Sequence, residues 1–140
     1  MVIHMEGSIF DTKAPVIVNP VNCVGIMGAG LAHEFHKREP RNYEKYKEAC
    51  ERKLLRPGGI FPFQSTKLIL NAATKDHYKD KTNPLWIAPI LGKIKRHYDW
   101  VALPYLGAGL GGLPEDFVRD LVEMTFADEP FIKVELWKYI

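Results

Sequence analysis

Three glycines and two asparagines are concentrated in one short stretch near the N-terminus. Gly25, Gly28 and Gly30 fall within six residues, after an apolar run and before a segment with helical spacing. Glycine lets a backbone approach a ligand closely, and a helix N-terminus offers unpaired N–H groups with partial positive charge. Phosphate suits such a turn, and Asn19 and Asn22 could hydrogen-bond a sugar. This first glycine loop (residues 25–30) therefore predicts a nucleoside-diphosphate pocket.

A second glycine loop (residues 107–112) also follows an apolar strand and precedes a helix. Together the two loops hold seven of the eleven glycines. Loops at the carboxyl ends of strands in an α/β sheet gather at the ligand-binding edge, so the pair could enclose a diphosphate from both sides. The alternative is that both are tight turns in which glycine supplies positive φ. The first loop does not fit G-x-G-x-x-G and is not followed by G-K-[ST], which disfavours a dinucleotide hydride carrier.

The elements that position these loops follow from hydrophobic patterning. Apolar and β-branched runs predict strands near residues 2–5, 16–18, 60–63, 67–71, 100–103 and 131–137. Helical spacing predicts a first helix near 29–38, ended by Pro40, and a second near 42–53. A third helix runs up to Tyr98 and either is kinked at Pro89 or begins there, and Pro114 opens a fourth. The alternation predicts one α/β domain over residues 1–140, with helices on both faces of a mostly parallel or mixed sheet.

Composition narrows the functional classes. The 140 residues are 46% hydrophobic and 26% charged, which is typical of a globular domain. A net charge of +2 is too small to argue for nucleic-acid binding by itself. No signal-peptide core and no long apolar run occur, so we expect no membrane association. Two cysteines make no disulfide framework, and we expect a cytoplasmic location.

The two glycine loops in this order, within Asn19 to Ala32 and Leu103 to Leu113, resemble those of the macrodomains, which bind ADP-ribose. The resemblance covers nearly the whole chain and implies a three-layer α/β/α fold with a mixed central sheet. The stretch Thr74 to Tyr78 is similar to the T-K-x-H-W-type segment of the DNA ADP-ribosyl glycohydrolase antitoxins. A related lysine occurs in the terminal ADP-ribose protein glycohydrolases. The resemblance therefore implies removal of ADP-ribose from a DNA nucleobase, with Lys75 as the catalytic residue.

The same resemblance implies a set of ligand-binding residues. Asn22 would hold the distal ribose, residues 28–30 would contact the phosphates and that ribose, and residues 107–111 would wrap the diphosphate. The full set is Ser8, Ile9, Asn19, Asn22, Ile26, Gly28, Ala29, Gly30, Gly107, Ala108, Gly109, Leu110 and Gly111. No cofactor and no metal are implied.

Two positions depart from the pattern of this family. Many macrodomains carry Gly-Asp-Ile after the first strand, where the acid binds the adenine amino group, whereas this chain has Gly7-Ser8-Ile9. We therefore expect adenine recognition to be weakened, or shifted to the hydroxyl and to backbone groups. The terminal ADP-ribose hydrolases carry a catalytic aspartate in the second loop. This chain has Gly111 at that position, and the DNA-directed antitoxins also have glycine there. That places more weight on Lys75, which near the anomeric carbon could attack as a neutral amine or transfer protons.

Several alternatives stay open from the sequence. Lys75 could be an ordinary solvated loop lysine, and the domain a non-catalytic reader of ADP-ribose. The substrate could instead be a protein-linked ADP-ribose ester or ADP-ribose 1″-phosphate. A plain nucleic-acid-binding module would show affinity that falls steeply with salt. The antitoxins pair with a toxin, but nothing in the sequence supports such a partner here.

Other reactive residues are weaker candidates. His33 and His36 share a predicted helix without the H-E-x-x-H pattern of a zinc site, and Cys23 has no obvious base beside it. The basic loop from His77 to Lys81 carries Tyr78, which could stack on a nucleobase or simply be solvated.

Overall fold

Six strands form one mixed sheet in the computed structural model, which describes residues 1–139. They are β1 (Val2–Glu6), β2 (Val16–Val21), β3 (Ile60–Gln64), β4 (Leu68–Ala73), β5 (Trp100–Pro104) and β6 (Lys133–Lys138). The spatial order is β1-β6-β5-β2-β4-β3, and every neighbouring pair is parallel except β3 and β4. The prediction of a mixed sheet is therefore confirmed, with one antiparallel strand at its edge.

Four helices cover the two faces of the sheet within residues 1–139. They are α1 (Gly30–Arg38), α2 (Pro40–Glu51), α3 (Ile87–His97) and α4 (Glu115–Phe126). Successive side chains of a strand point to opposite faces, so Val16 and Val18 pack with α3 and α4, whereas Ile17 and Val21 pack with α1 and α2. Burial on both faces explains the continuous apolar run of β2. The α/β/α arrangement predicted from the family resemblance is confirmed.

Two prolines act differently from the prediction. Pro40 is the first residue of α2 rather than only the end of α1, because a first helical position needs no N–H partner. Pro89 lies in the first turn of α3, which begins at Ile87, so the predicted alternative of a helix start at Pro89 is wrong by two residues. In a first turn the missing N–H of proline breaks no hydrogen bond within the helix. Pro84 begins a short 3-10 turn, whose first N–H, from Leu85, is donated to Asn83 Oδ1 at 3.0 Å.

β2 extends farther than predicted. It continues through Asn19 and Pro20 to Val21, because each of these positions pairs with β4, up to Val21 opposite Ala73. Ile140, the last residue of the predicted single domain, lies outside the described residues. No helix within the described range is long and apolar enough to cross a bilayer.

Candidate active site

A cleft of about 1160 Å³ lies at one edge of the sheet and is bounded by both glycine loops. Residues that end or follow β1, β2, β4, β5 and β6 line it, and these five strands run parallel to one another. Their carboxyl ends therefore meet at the same edge, which is where α/β sheets bind ligands. The cleft is large enough for a ligand of nucleotide size.

The structure brings all but one of the predicted site residues to this cleft. Those that line it are Ser8, Ile9, Asn22, Ile26, Gly28, Ala29, Gly30, Lys75, Gly107, Ala108, Gly109, Leu110 and Gly111. Asn19 is the exception, and its expected contact with the ligand is corrected. Because β2 continues through this residue, its fully buried amide points into the core below α1 and α2, where Nδ2 donates to Asn71 Oδ1 at 3.0 Å.

The amide of Asn22 shapes the backbone that leads into the first glycine loop. Its Oδ1 accepts hydrogen bonds from the Val24 N–H at 3.0 Å and from the Tyr46 hydroxyl at 2.8 Å, and its Nδ2 donates to the Ile26 carbonyl at 2.8 Å. An amide nitrogen carries two N–H groups, so one of them is left for a ligand. Asn22 thus combines a structural role with a position on the cleft wall.

The N-terminus of α1 opens directly onto the cleft. The helix begins at Gly30, and the preceding Ala29 is extended and provides no side-chain cap. The first N–H groups of a helix have no acceptor within the helix, and here no capping side chain occupies them. With the helix dipole, they form a site suited to an anionic ligand.

The second glycine loop is covered by the residues that follow β4, which we call the lysine segment (residues 75–82). A Cβ atom on Gly111 would collide with Thr82 Oγ1, and one on Gly107 would lie 2.9 Å from Thr82 Cγ2. A Cβ atom on Gly112 would lie 2.9 Å from Lys81 Cδ. Thr82 of the lysine segment therefore excludes a side chain at Gly111. At Gly107, Leu113 Cδ1 is closer still at 2.7 Å, and the φ values of +81° at Gly107 and +82° at Gly112 also favour glycine.

Gly109 differs from its neighbours in this loop. A Cβ atom there would have nothing within 4 Å, and its φ of +63° is the reason for glycine. An aspartate at position 111 would require Thr82 to shift.

Lys75 lies between the two glycine loops. Its Nζ donates to the Tyr78 and Leu110 carbonyls, both at 3.5 Å, which is the outer limit for a hydrogen bond. The backbone just beyond it is held against the start of the first loop, because the Cys23 N–H donates to the Asp76 carbonyl at 2.9 Å. The side chain is half-buried at the mouth of the cleft, so the amine faces both the ligand space and solvent.

The far end of the cleft is formed by residues near Ser8. Its Oγ accepts a hydrogen bond from the Phe10 N–H at 3.3 Å and thereby caps the short turn Ile9–Asp11. The guanidinium of Arg38 lies 4.2 Å from the centre of the Phe10 ring, and both residues line the cleft. Phe10, Arg38, Thr82 and Tyr105 line the cleft but were not predicted from the sequence, because only tertiary packing places them here.

The other reactive groups have structural explanations. Burial, then the nearby Asp76 and Cys50, raises the pKa of the Cys23 thiol to about 12, so it is a protonated, poorly nucleophilic group. The imidazole of His36 stacks on Tyr43 with ring centres 3.7 Å apart. Among residues 1–139, no three His, Cys, Asp or Glu side chains are grouped so as to hold a metal ion.

The fold and the cleft define a three-layer α/β/α domain whose ligand site lies between two glycine loops. The Macro domain family matches residues 18–122, and the chain belongs to this family.

Three relatives illustrate the similarity. The DNA ADP-ribosyl glycohydrolase of Thermus aquaticus is 32% identical over 149 residues, covering 99% of this chain and 41% of the relative. The macrodomain of Mycobacterium tuberculosis DarG superimposes with a TM-score of 0.91 at 29% identity, covering 98% of this chain and 97% of that one. Thermosipho africanus DarTG in complex with ADP-ribose gives a TM-score of 0.86 at 25% identity, covering 97% of this chain and 42% of that one. The chain thus spans about two fifths of the length of the DNA ADP-ribosyl glycohydrolases of Thermus aquaticus and Mycobacterium tuberculosis.

Proposed function

We propose that this macrodomain binds ADP-ribose and hydrolyses the bond between ADP-ribose and a nucleobase of DNA, with Lys75 as the catalytic residue. Two relatives of this chain support the proposal. One is a DNA ADP-ribosyl glycohydrolase, and the structure of another was solved in complex with ADP-ribose. In this proposal, residues 28–30 and 107–111 hold the diphosphate, Asn22 holds the distal ribose, and Ser8 and Ile9 lie at the adenine end.

The observation that carries the proposal is the position of the Lys75 amine. It hydrogen-bonds the carbonyl of Leu110 in the second glycine loop and lies on a segment anchored beside the first. A diphosphate held by both loops would fix the attached ribose near this amine, so binding energy would position the reacting carbon.

The proposed reaction adds a water oxygen to the anomeric carbon, breaks the bond from that carbon to the base nitrogen, and delivers a proton to the departing base. Lys75 takes part either as a neutral amine that attacks the carbon first, or as the group that transfers protons. Both roles require the amine within reach of the anomeric carbon.

An aromatic side chain beside Lys75 favours a nucleobase as the acceptor. The Tyr78 side chain is 43% exposed and lines the cleft, with the His77 ring 4.3 Å away and Lys79 Nζ 5.8 Å from its ring centre. The turn is held by the Asp80 carboxylate, which accepts from the His77 N–H at 3.2 Å. Nucleobases stack on such aromatic surfaces, and nearby lysines attract phosphate.

The proposal is tested with a panel of substrates: ADP-ribosylated DNA thymine, DNA guanine, protein glutamate and protein serine. We expect release of free ADP-ribose from a DNA substrate by the wild type, and loss of release by Lys75→Ala with binding of free ADP-ribose retained. Equal turnover by this variant would refute the lysine mechanism. Binding without release from any substrate would identify a reader.

The proposed function also implies a source of the substrate and a cellular location. An enzyme of the opposite chemistry, a DNA ADP-ribosyl transferase, has to supply the substrate, but a physical complex with such a toxin is not required. We place the protein in the cytoplasm, because Cys23 and Cys50 are free thiols and reducing compartments preserve these.

A further inference from the structure

The hydroxyl of Thr82 is buried and lacks a hydrogen-bond partner. Thr82 is 4% exposed, and its Oγ1 is one of two buried side-chain polar atoms without a partner among residues 1–139. A buried hydroxyl without a partner destabilises the folded state relative to an apolar group of the same shape. A threonine at this position therefore calls for an explanation other than stability.

The hydroxyl lies where the cleft, the second glycine loop and Lys75 meet. Thr82 lines the cleft, and its backbone N–H donates to the Gly111 carbonyl at 2.9 Å. A Cβ atom on Gly111 would collide with Thr82 Oγ1 and would lie 3.9 Å from Lys75 Cε. The hydroxyl and the lysine therefore converge on the space beside Gly111 that a side chain at this position would otherwise fill.

Lys75 is a donor that could supply the missing hydrogen bond, because it borders the same space beside Gly111. An ammonium group has three N–H donors, and the two acceptors that it has here both lie at the outer limit of hydrogen-bond distance. Its four-carbon chain is flexible, so a rotation can exchange one acceptor for another.

We propose that Thr82 is a positioning residue for Lys75: when substrate fills the cleft, Thr82 Oγ1 accepts a hydrogen bond from Lys75 Nζ and fixes the amine beside the anomeric carbon. This inference rests on the proposed function. It also gives a role to a hydroxyl that costs stability when it has no partner.

The test compares Thr82→Val, which removes the hydroxyl at nearly constant volume, with Thr82→Ser, which keeps it. With an ADP-ribosylated oligonucleotide, we expect kcat of Thr82→Val to fall by about tenfold or more, the effect of losing a hydrogen bond to a charged group. KM and the Kd for free ADP-ribose change by less than about twofold, because the positioning affects the reaction and not ground-state binding. Thr82→Ser retains most of the wild-type kcat.

Thermal unfolding supplies a second readout with a matched control. The hydroxyl of Thr12 is also buried, but it donates to Glu135 and accepts from the Ala14 N–H at 3.0 Å, away from the cleft. We expect Thr12→Val to lower the Tm and to leave kcat unchanged, whereas Thr82→Val lowers kcat and leaves the Tm equal to or above that of the wild type.

Three results would overturn the inference: wild-type kcat in Thr82→Val, equally slow Thr82→Val and Thr82→Ser variants, or a Tm loss in Thr82→Val matching that of Thr12→Val. A wild type that releases ADP-ribose from no substrate refutes the proposed function instead, and removes the reaction that Thr82 is inferred to serve.

Discussion

The crowding at Gly111 allows a quantitative test of the packing between the lysine segment and the second glycine loop. Alanine at this position would place a methyl group against Thr82 Oγ1, with Thr82 Cβ 3.3 Å away. Forcing a methyl group into a filled site typically costs about 1–3 kcal/mol. We therefore expect Gly111→Ala to lower the free energy of unfolding by about 1–3 kcal/mol and, for a chain of this length, the Tm by about 2–4 °C per kcal/mol.

Gly109→Ala is the matched control, because it separates steric overlap from backbone strain. A Cβ atom on Gly109 meets nothing within 4 Å, but its φ of +63° is unfavourable for alanine. We expect a loss of about 1 kcal/mol from strain alone, unaffected by changes at Thr82. For Gly111→Ala the cost is steric, so adding Thr82→Ala should restore much of the loss.

Urea unfolding of the wild type, both single variants and the double variant gives the coupling between positions 111 and 82. We expect a favourable coupling above about 0.5 kcal/mol, the range found for residues in contact. Gly111→Ala as stable as the wild type, or additive losses in the double variant, would contradict the packing described above.

Three further predictions concern other parts of the molecule. Tyr78→Ala should raise KM for an ADP-ribosylated oligonucleotide by about fivefold or more and leave the Kd for free ADP-ribose unchanged. Tyr78→Phe keeps the aromatic ring and should resemble the wild type. An unchanged KM in Tyr78→Ala would argue against base stacking. Burial raises the pKa of Glu135, but hydrogen bonds from Thr12, Trp100 and Trp137 outweigh it, and the net result is a pKa below the usual 4.5. The ionised Glu135 carboxylate therefore stabilises the fold above that value, and this stabilisation is lost as the pH falls through the lowered pKa. In urea unfolding, the stability difference between the wild type and Glu135→Gln should narrow from about pH 6 to about pH 3. A constant difference would contradict this. Because the pKa of the Cys23 thiol is raised to about 12, its alkylation by iodoacetamide near neutral pH should be about a hundredfold slower than that of a free cysteine. Mass spectrometry of a Cys50→Ala variant measures this rate. Reaction at the free-cysteine rate would exclude the raised pKa.

The sequence predicted the layers of the fold because the signals for them are local. The apolar run of β2 and the glycines before α1 both act within a few residues of the elements they define. The position of Asn19 was not predictable in this way. Whether it belongs to a loop or a strand depends on its pairing opposite Asn71, a contact between residues distant in sequence.

The candidate site shows the same division. Glycine loops and Lys75 carry recognisable spacing, and the structure places them around one cleft. The role of the Thr82 hydroxyl could not be predicted from the sequence around it, because it depends on contact with Gly111, which is close only in the folded chain.

The lysine segment has a mechanical consequence for the cleft that it borders. One end is bonded to the chain before the first glycine loop, through the Cys23 N–H and the Asp76 carbonyl, and the other end to the second loop, through the Thr82 N–H and the Gly111 carbonyl, both at 2.9 Å. The segment therefore links the two loops directly, in addition to their connection through the paired strands β2 and β5. A change in its length between residues 77 and 81 would act on both ends of the cleft wall at once.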